Sequence, residues 1–367
     1  MKSTRVGLVG LGSVANAHLA AIRLLHNVQL VSVCDVRPEV AERVASDFGA
    51  RSYTDYRALL EGGDIDLAMV LTPASTHLAI VQAAAACGVH VFCEKPLAIT
   101  LADGAAMIEA CATAKVKFFY GSCYRYLPAV RKARDLIQSG AIGRIQLMTE
   151  EVIGGSGIAG YRQWAPIHYP LGGPGGPGMS LMDHGIHLID VFSWFTGSAP
   201  VHAIGNVQVA GQAAETEFLV MSFPCGATGH LLYNAATFSA RLPNEGMFSG
   251  GEGWMLDDSI APAGGWVSEP GSMSIYGSTG SLRVFHYTNA LYLNTGDGPK
   301  RVELSGRPSL GHFATQLEDC VAAIHQDLAP SITGPDGLNA LKTILSVFES
   351  RASLDSGKPA HGATTNA

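Results

Sequence analysis

Residues 6–18, VGLVGLGSVANAH, leave this chain few options for how it can begin to fold. Val6 to Val9 reads as a short buried strand, followed by a tight turn and the start of a helix. The turn carries Gly10-x-Gly12-x-x-Ala15, the spacing of a dinucleotide-binding turn. Gly10 permits the sharp exit from the strand. Gly12 lets the backbone approach a pyrophosphate with no Cβ in the way, and Ala15 keeps the helix close to the sheet. Ser13 and Val14 open that helix, whose N-terminal N–H groups and positive dipole end favour phosphate. The plain alternative is an ordinary turn, because the chain has 43 glycines. The next strand, Gln29–Asp35, decides between them. It ends in an acid at about the 20-residue offset where a carboxylate takes ribose hydroxyls, and Val36 and Arg37 follow. Strand, turn and acid together predict a nucleotide-binding Rossmann half.

With 367 residues, the chain exceeds one typical core, so two domains are expected. Hydrophobic residues at 47% against charged residues at 15% describe a packed globular protein and exclude a disordered one. A net charge of −7 without a basic run argues against a nucleic-acid partner. Seven cysteines at irregular spacing, with no C-x-x-C pair, read as reduced thiols in a cytoplasm. MKSTR leads straight into the first strand, so no secretory signal is expected, and no apolar run is long enough to span a membrane.

Helices are predicted over 38–48, 55–60, 74–88 and 100–114, alternating with strands over 65–71, 89–93 and 117–120. That alternation is the βαβ pattern of a parallel sheet. The strand ends carry Leu71-Thr72-Pro73, with His77 one turn into the next helix, and Glu94-Lys95-Pro96. Ligand chemistry in such folds gathers beyond the carboxyl ends of the strands, and four placements agree there: Gly10–Gly12, Asp35, Thr72-Pro73 and Glu94-Lys95-Pro96. After residue 123 the pattern changes. A helix over 128–139 and a strand over 145–153 precede a Gly/Pro-rich loop, 154–178, holding Tyr161, Arg162, Gln163 and Trp164. A helix over 183–195 follows, then strands over 201–211, 217–224, 227–236, 272–276, 281–285 and 290–294. Strands without intervening helices indicate an antiparallel or mixed sheet. A second Gly-rich loop within 246–269 carries Glu252, Trp254, Asp257, Asp258 and Trp266, and helices over 311–326 and 336–356 close the chain.

Lys95 at a strand end projects toward the place of a nicotinamide ring, where it can exchange a proton with a substrate oxygen. A solvated loop lysine is the competing reading. Asp183, His187, Asp190 and Trp194 recur on one helix face. Asp183 is positioned as a cap or an acid–base partner, and His187 as the proton carrier near neutral pH. The bland alternative is a capping Asp with a satisfied core histidine. A metal set of Asp183, His184 and His187 lacks further ligands, so no metal is expected. A Ser–His–Asp reading fails for want of a G-x-S-x-G elbow. Trp164 and Trp254 are either stacking platforms or anchors of small satellite cores. Arg162 and Arg241 either pair a substrate anion or stay solvated.

Taken together, GLGSVANAH at 10–18, CD at 34–35, LTPASTH at 71–77, EKP at 94–96, YRYLPA at 124–129, DHGIHLID at 183–190 and YGSTGSL at 276–282 resemble the glucose–fructose oxidoreductase / inositol dehydrogenase / MocA family over nearly the whole chain. The resemblance implies an α/β protein with two domains. Residues 1–123 would form the NAD(P)-binding Rossmann domain with a doubly wound parallel sheet. Residues 124–367 would form a substrate-binding and oligomerisation domain with a large open, mostly antiparallel sheet, its C-terminal helix packing back on the first domain. It implies Lys95, Asp183 and His187 as catalytic, with Asp183 orienting the histidine. The cofactor is expected on Gly10, Gly12, Ser13, Val14, Ala15, Asp35, Val36, Arg37, Leu71, Thr72, Pro73, His77, Glu94, Lys95, Arg162 and Trp164. The substrate is expected on Lys95, Tyr124, Arg125, Trp164, Asp183, His184 and His187. NAD is expected over NADP because Asp35 repels a 2′-phosphate, although nearby Arg37 keeps NADP open. The expected activity is oxidation of a secondary hydroxyl on a sugar or polyol, in a homodimer or homotetramer. The alternatives are a glycoside-cleaving enzyme that oxidises, eliminates and re-reduces with no net redox, and a dinucleotide-sensing regulator without turnover.

Overall fold

A computed structural model describes residues 3–62, 64–153, 181–210, 213–234, 272–286, 289–307 and 311–355. The expected alternation forms: β1 (Thr4–Val9), α1 (Ser13–Arg23), β2 (Val28–Cys34), α2 (Pro38–Phe48), β3 (Arg51–Tyr53), α3 (Tyr56–Glu61), β4 (Leu67–Val70), α4 (Ala74–Ala86), β5 (His90–Glu94), α5 (Leu101–Thr113) and β6 (Phe118–Gly121). The sheet runs β3-β2-β1-β4-β5-β6, with every pair parallel. Its central strands are apolar on both faces, and Val6, Leu8, Leu67 and Val91 are wholly buried. Helices on both sides account for that. Local chemistry sets the helix ends. Pro38 opens α2 and left-handed Gly49 (φ 65°) closes it. The Thr100 hydroxyl caps α5 by accepting from Asp103 N at 3.0 Å.

A 3-10 turn, Cys123–Tyr126, leads into α6 (Pro128–Gln138) and β7 (Ile145–Ile153). Beyond a π-helical turn, Leu181–Gly185, come α7 (Ile186–Thr196), β8 (His202–Ala210), β9 (Ala213–Ser222), β10 (Thr228–Asn234), β11 (Ser272–Gly277), β12 (Ser281–Phe285), β13 (Ala290–Asn294) and β14 (Pro299–Arg301). These strands form one sheet, β14-β13-β12-β11-β7-β10-β9-β8. Only β7 and β10 pair in parallel, so the sheet is mixed but mostly antiparallel. Period-two alternation divides its faces. Leu219, Met221, Leu231, Met273 and Ile275 are buried, while Phe218, Val220 and Tyr276 face outward.

Helices α8 (Gly311–His325) and α9 (Gly334–Asp355) finish the described chain. The start of α9 lies against the first sheet, where Cβ atoms on Gly334 and Gly337 would collide with Phe118 and Tyr120. Further along, Val347 meets Gly205 of β8 on the second sheet. One helix therefore touches both sheets.

One local expectation is corrected. The helix expected from Asp183 starts instead as the π-helical turn from Leu181. The three-residue edge strands β3 and β14 were not anticipated, because such short segments carry no readable period and Arg51, Ser52 and the whole of β14 are exposed. Arg162, Trp164, Tyr161 and Gln163, with Arg241, Glu252, Trp254, Asp257, Asp258 and Trp266, lie outside the described residues.

Burial holds several histidines neutral. His77 and His187 are pushed below the ordinary imidazole value chiefly by burial. Burial, reinforced by the charge of His18, lowers His312 to about 3. The unfolded chain takes a proton there below about pH 6.5, so this stability is present at neutral pH and lost as the solution is acidified. A His312→Gln variant should lose about 2 kcal/mol less stability than the parent between pH 7.5 and pH 5. Urea unfolding at both pH values measures the difference, and equal losses would refute it.

Candidate active site

The carboxyl edge of the parallel sheet is assembled by close backbone contacts. Gly10 has φ 94°, and a Cβ there would lie 2.8 Å from Thr72 Cγ2 and 2.9 Å from the Leu71 carbonyl. No side chain could be accommodated where the turn after β1 abuts the end of β4. A Cβ on Gly12 would meet no protein atom within 4 Å. Gly12 is also the N-cap of α1, which no side chain caps and whose first turn holds no acid. An open approach to an uncapped helix N-terminus, with Ser13 and Val14 in its first turn and Ala15 buried behind, suits a pyrophosphate. At the end of β2, Asp35 accepts from Leu11 N at 2.9 Å and from Arg37 N at 3.0 Å. Its carboxylate also holds the Arg37 guanidinium, at 2.9 and 3.1 Å. Burial works to raise the Asp35 carboxyl, but the bonds from Arg37 and Leu11 outweigh it and keep it below the ordinary value. Val36 is exposed between them. The residues of this edge fit a nicotinamide dinucleotide.

His77 does not face this edge. It is fully buried, its ring set between the Leu97 and Thr72 carbonyl oxygens at 3.1 and 2.8 Å, and it braces the two strand-end turns from beneath. Glu94 is also buried. One of its oxygens lies 2.9 Å from His18 Nε2, and the other accepts from Lys95 N at 3.0 Å. Lys95 therefore leaves β5 with its backbone anchored. Its Nζ donates to the Asp183 carbonyl oxygen at 3.1 Å and is ion-paired with the Asp183 carboxylate.

That pair corrects the expected geometry. Asp183 bonds Lys95, and His187 Nδ1 is buried with no hydrogen-bond partner. The π-helical turn shifts Asp183 relative to the α-helical face that carries His187. His187 is instead positioned by stacking, its ring parallel to that of Tyr124 at a 4.1 Å centroid distance and 6°. Burial first, then the charge of Lys95 and of neighbouring histidines, holds His187 well below its ordinary value. A neutral imidazole accepts a proton.

His184 was expected at the substrate, but lies behind this layer. It is 5% exposed, with Nδ1 at 3.2 Å from the Tyr124 hydroxyl and Nε2 at 2.8 Å from Glu150 Oε2. Tyr124, also buried, thus connects His184 to His187. Arg125 is likewise committed elsewhere. It donates to both carboxylate oxygens of buried Asp190, and to Asp336 at 3.1 Å. It sits in a network with Ser122 and the first turn of α9, where a merely solvated arginine would be free to turn toward a ligand.

Glu150, His286 and His18 were not singled out in the sequence. Two of them carried a readable signal. Glu150 shares its strand parity with buried Met148, and His286 follows Leu282 and Val284 on the inward parity of β12. A titratable residue on a core-facing parity calls for a partner. His18 lies on the inward face of α1 without a comparable pattern.

A parallel sheet in this order, with a glycine turn, an acid after the second strand and a lysine at its carboxyl edge, defines a Rossmann-type dinucleotide-binding protein. Residues 4–122 match the model described as the oxidoreductase family, NAD-binding Rossmann fold, and residues 130–283 match the GFO/IDH/MocA C-terminal domain. The chain belongs to the Gfo/Idh/MocA oxidoreductase family. It is 29% identical over 233 residues to a myo-inositol 2-dehydrogenase of Thermotoga maritima, covering 61% of this chain and 66% of that protein. An inositol 2-dehydrogenase of Rhizobium meliloti is 25% identical over 345 residues, 92% of this chain and 94% of that one. Matches to the first curated relatives span 38% to 66% of those proteins' own lengths. Among solved structures, an aldose-aldose oxidoreductase of Caulobacter crescentus complexed with glycerol superposes with a TM-score of 0.78 at 23% identity, covering 97% of this chain and 98% of that one. At that identity the likeness concerns the fold alone.

Proposed function

We propose that the chain is an NAD-dependent dehydrogenase that oxidises a secondary hydroxyl of a sugar, polyol or sugar derivative. The observation that carries this reading is the Lys95–Asp183 ion pair, placed at the carboxyl edge of the parallel sheet and near enough to His187 for the lysine charge to depress it. Lys95, steered by the Asp183 carboxylate and carbonyl, presents its ammonium group to the substrate oxygen. Neutral His187 takes the hydroxyl proton as the carbinol carbon loses hydride. A bound nicotinamide supplies the acceptor for that hydride at its C4. Tyr124 holds the imidazole plane by stacking, while His184 holds the Tyr124 hydroxyl. The names of the inositol dehydrogenase relatives support a polyol substrate.

Free thiols at all seven cysteines support a reducing compartment such as the cytoplasm. No helix among the described residues is long and apolar enough to cross a membrane. The outer face of the eight-stranded sheet carries Ile204 (74% exposed) paired with Val220 across β8 and β9, beside Phe218. Apolar pairs of this kind suit burial against a second copy of the chain. Light scattering should give a dimer or tetramer mass, and a monomer removes the assembly.

Turnover should fall by about 10²–10⁴-fold in Lys95→Ala and in His187→Ala, with NAD binding retained by calorimetry. Full activity in both variants would sink the assignment. The parent enzyme, given NAD and a panel of polyols, free sugars and glycosides, should yield a ketone product with matching NADH. Aglycone release without NADH would identify the redox-neutral glycoside-cleaving reaction instead.

Asp35 lies where a 2′-phosphate would be repelled, and it neutralises Arg37. Asp35→Ser frees that guanidinium, so the NADP-to-NAD ratio of kcat/KM should rise on the order of tenfold. An unchanged ratio would place the ribose elsewhere.

A further inference from the structure

Glu150, on the middle of β7, is a fully buried carboxylate on the helix-covered face of the second sheet. Its partners come from two distant parts of the chain. His184 Nε2, from the π-helical turn, lies 2.8 Å from one carboxylate oxygen, and His286 Nε2, just past β12, lies 3.3 Å from the other. Among the described residues no lysine or arginine pairs with this carboxylate, although a buried charge is strongly destabilising without compensation. One donor atom from each of the three residues can be chosen so that all lie within 4.8 Å of one another. Zinc with ligands at 2.0–2.2 Å sets neighbouring donors about 3.3 Å apart. Of the two measured separations, 3.3 Å matches that value and 2.8 Å is about half an ångström shorter, so with all three atoms within 4.8 Å small side-chain shifts would close the set around an ion.

The surroundings have the form of an outer ligand shell. The second nitrogen of His184 is engaged by the Tyr124 hydroxyl at 3.2 Å, which sets the ring plane and leaves Nε2 toward Glu150. The Tyr233 hydroxyl donates to Glu150 Oε2 at 2.7 Å. Three ligands from three separate elements, two of them oriented by tyrosine hydroxyls, suit a dry two-histidine, one-carboxylate site.

We propose that Glu150, His184 and His286 bind one divalent transition-metal ion of the zinc class, a site separate from the Lys95–Asp183–His187 group and independent of the reaction assigned above. The ion neutralises the buried carboxylate and ties β7 and β12 to the π-helical turn that carries Asp183. It changes no oxidation state.

The test uses the full chain, produced with zinc in the medium and purified without chelator, its metal content read by plasma mass spectrometry. About one zinc per chain is expected in the parent, falling below about a tenth in His286→Gln and in Glu150→Gln. Chelator should lower the Tm of the parent, and zinc should restore it, which keeps the test open if a variant fails to fold. Cobalt in place of zinc should give visible absorption bands of low-symmetry nitrogen and oxygen coordination. A parent chain that neither carries zinc nor binds it at micromolar concentration overturns the proposal and leaves an imidazole–carboxylate hydrogen-bond network. One zinc per chain retained in both folded variants places the ion elsewhere and overturns it equally.

Discussion

The ion pair between Lys95 and Asp183 ties the end of β5 to the π-helical turn ahead of α7, and so brings the chemistry of one sheet against the chemistry of the other. Their side chains are only 9% and 14% exposed. Removing two charges from water costs several kcal/mol per ion, which their mutual attraction offsets only in good geometry. The pair is therefore weak evidence for stability. What it provides is position: an ammonium whose direction is set by a carboxylate and a carbonyl of the same residue. The Glu94 bond to Lys95 N fixes the backbone end of that side chain, and Asp183 fixes the other.

Buried charge organises the remainder of the junction in the same way. Arg125, Asp190 and Asp336 connect the 3-10 turn, α7 and the first turn of α9, and Ser122 donates to Asp190 from the end of the parallel sheet. Breaking such a pair strands a charge in the interior, which is far worse than never having buried it. These residues cannot be exchanged singly. Three buried carboxylates, Glu94, Glu150 and Asp190, thus hold the helices and turns that frame the candidate site.

His187 shows how position and protonation are joined. Its ring is aligned by the flat face of Tyr124 and kept neutral by burial and by the nearby lysine. Stacking fixes the imidazole plane without occupying either nitrogen. A hydrogen bond donated to the Asp183 carboxylate would have taken one of them and favoured the charged form. Neutral histidine beside an oriented ammonium is a pair suited to exchanging one proton with a hydroxyl.

Much of this molecule was legible in local sequence. Helical spacing placed α2 to the residue, period-two alternation placed β7, and the glycine turn with its downstream acid identified the Rossmann half, because those patterns follow from backbone geometry alone. Lys95, Asp183 and His187 were recognisable as a group from the family resemblance. Their partners were not. The offset of Asp183 from His187 suggests a bond only if the helix is regular, and a π-helical turn removed that regularity. His77, His184 and Arg125 carry the residue types of a binding site, yet each is held behind it by a carbonyl, a carboxylate or a pair of carboxylates from elsewhere in the chain. Sequence by itself determined the parallel sheet, its glycine turn and which residues stand at its carboxyl edge, since these depend on neighbours along the chain. Only the tertiary structure decided which buried charge meets which, because Glu150, His184 and His286 are brought together by strand pairing and helix packing across more than a third of the sequence.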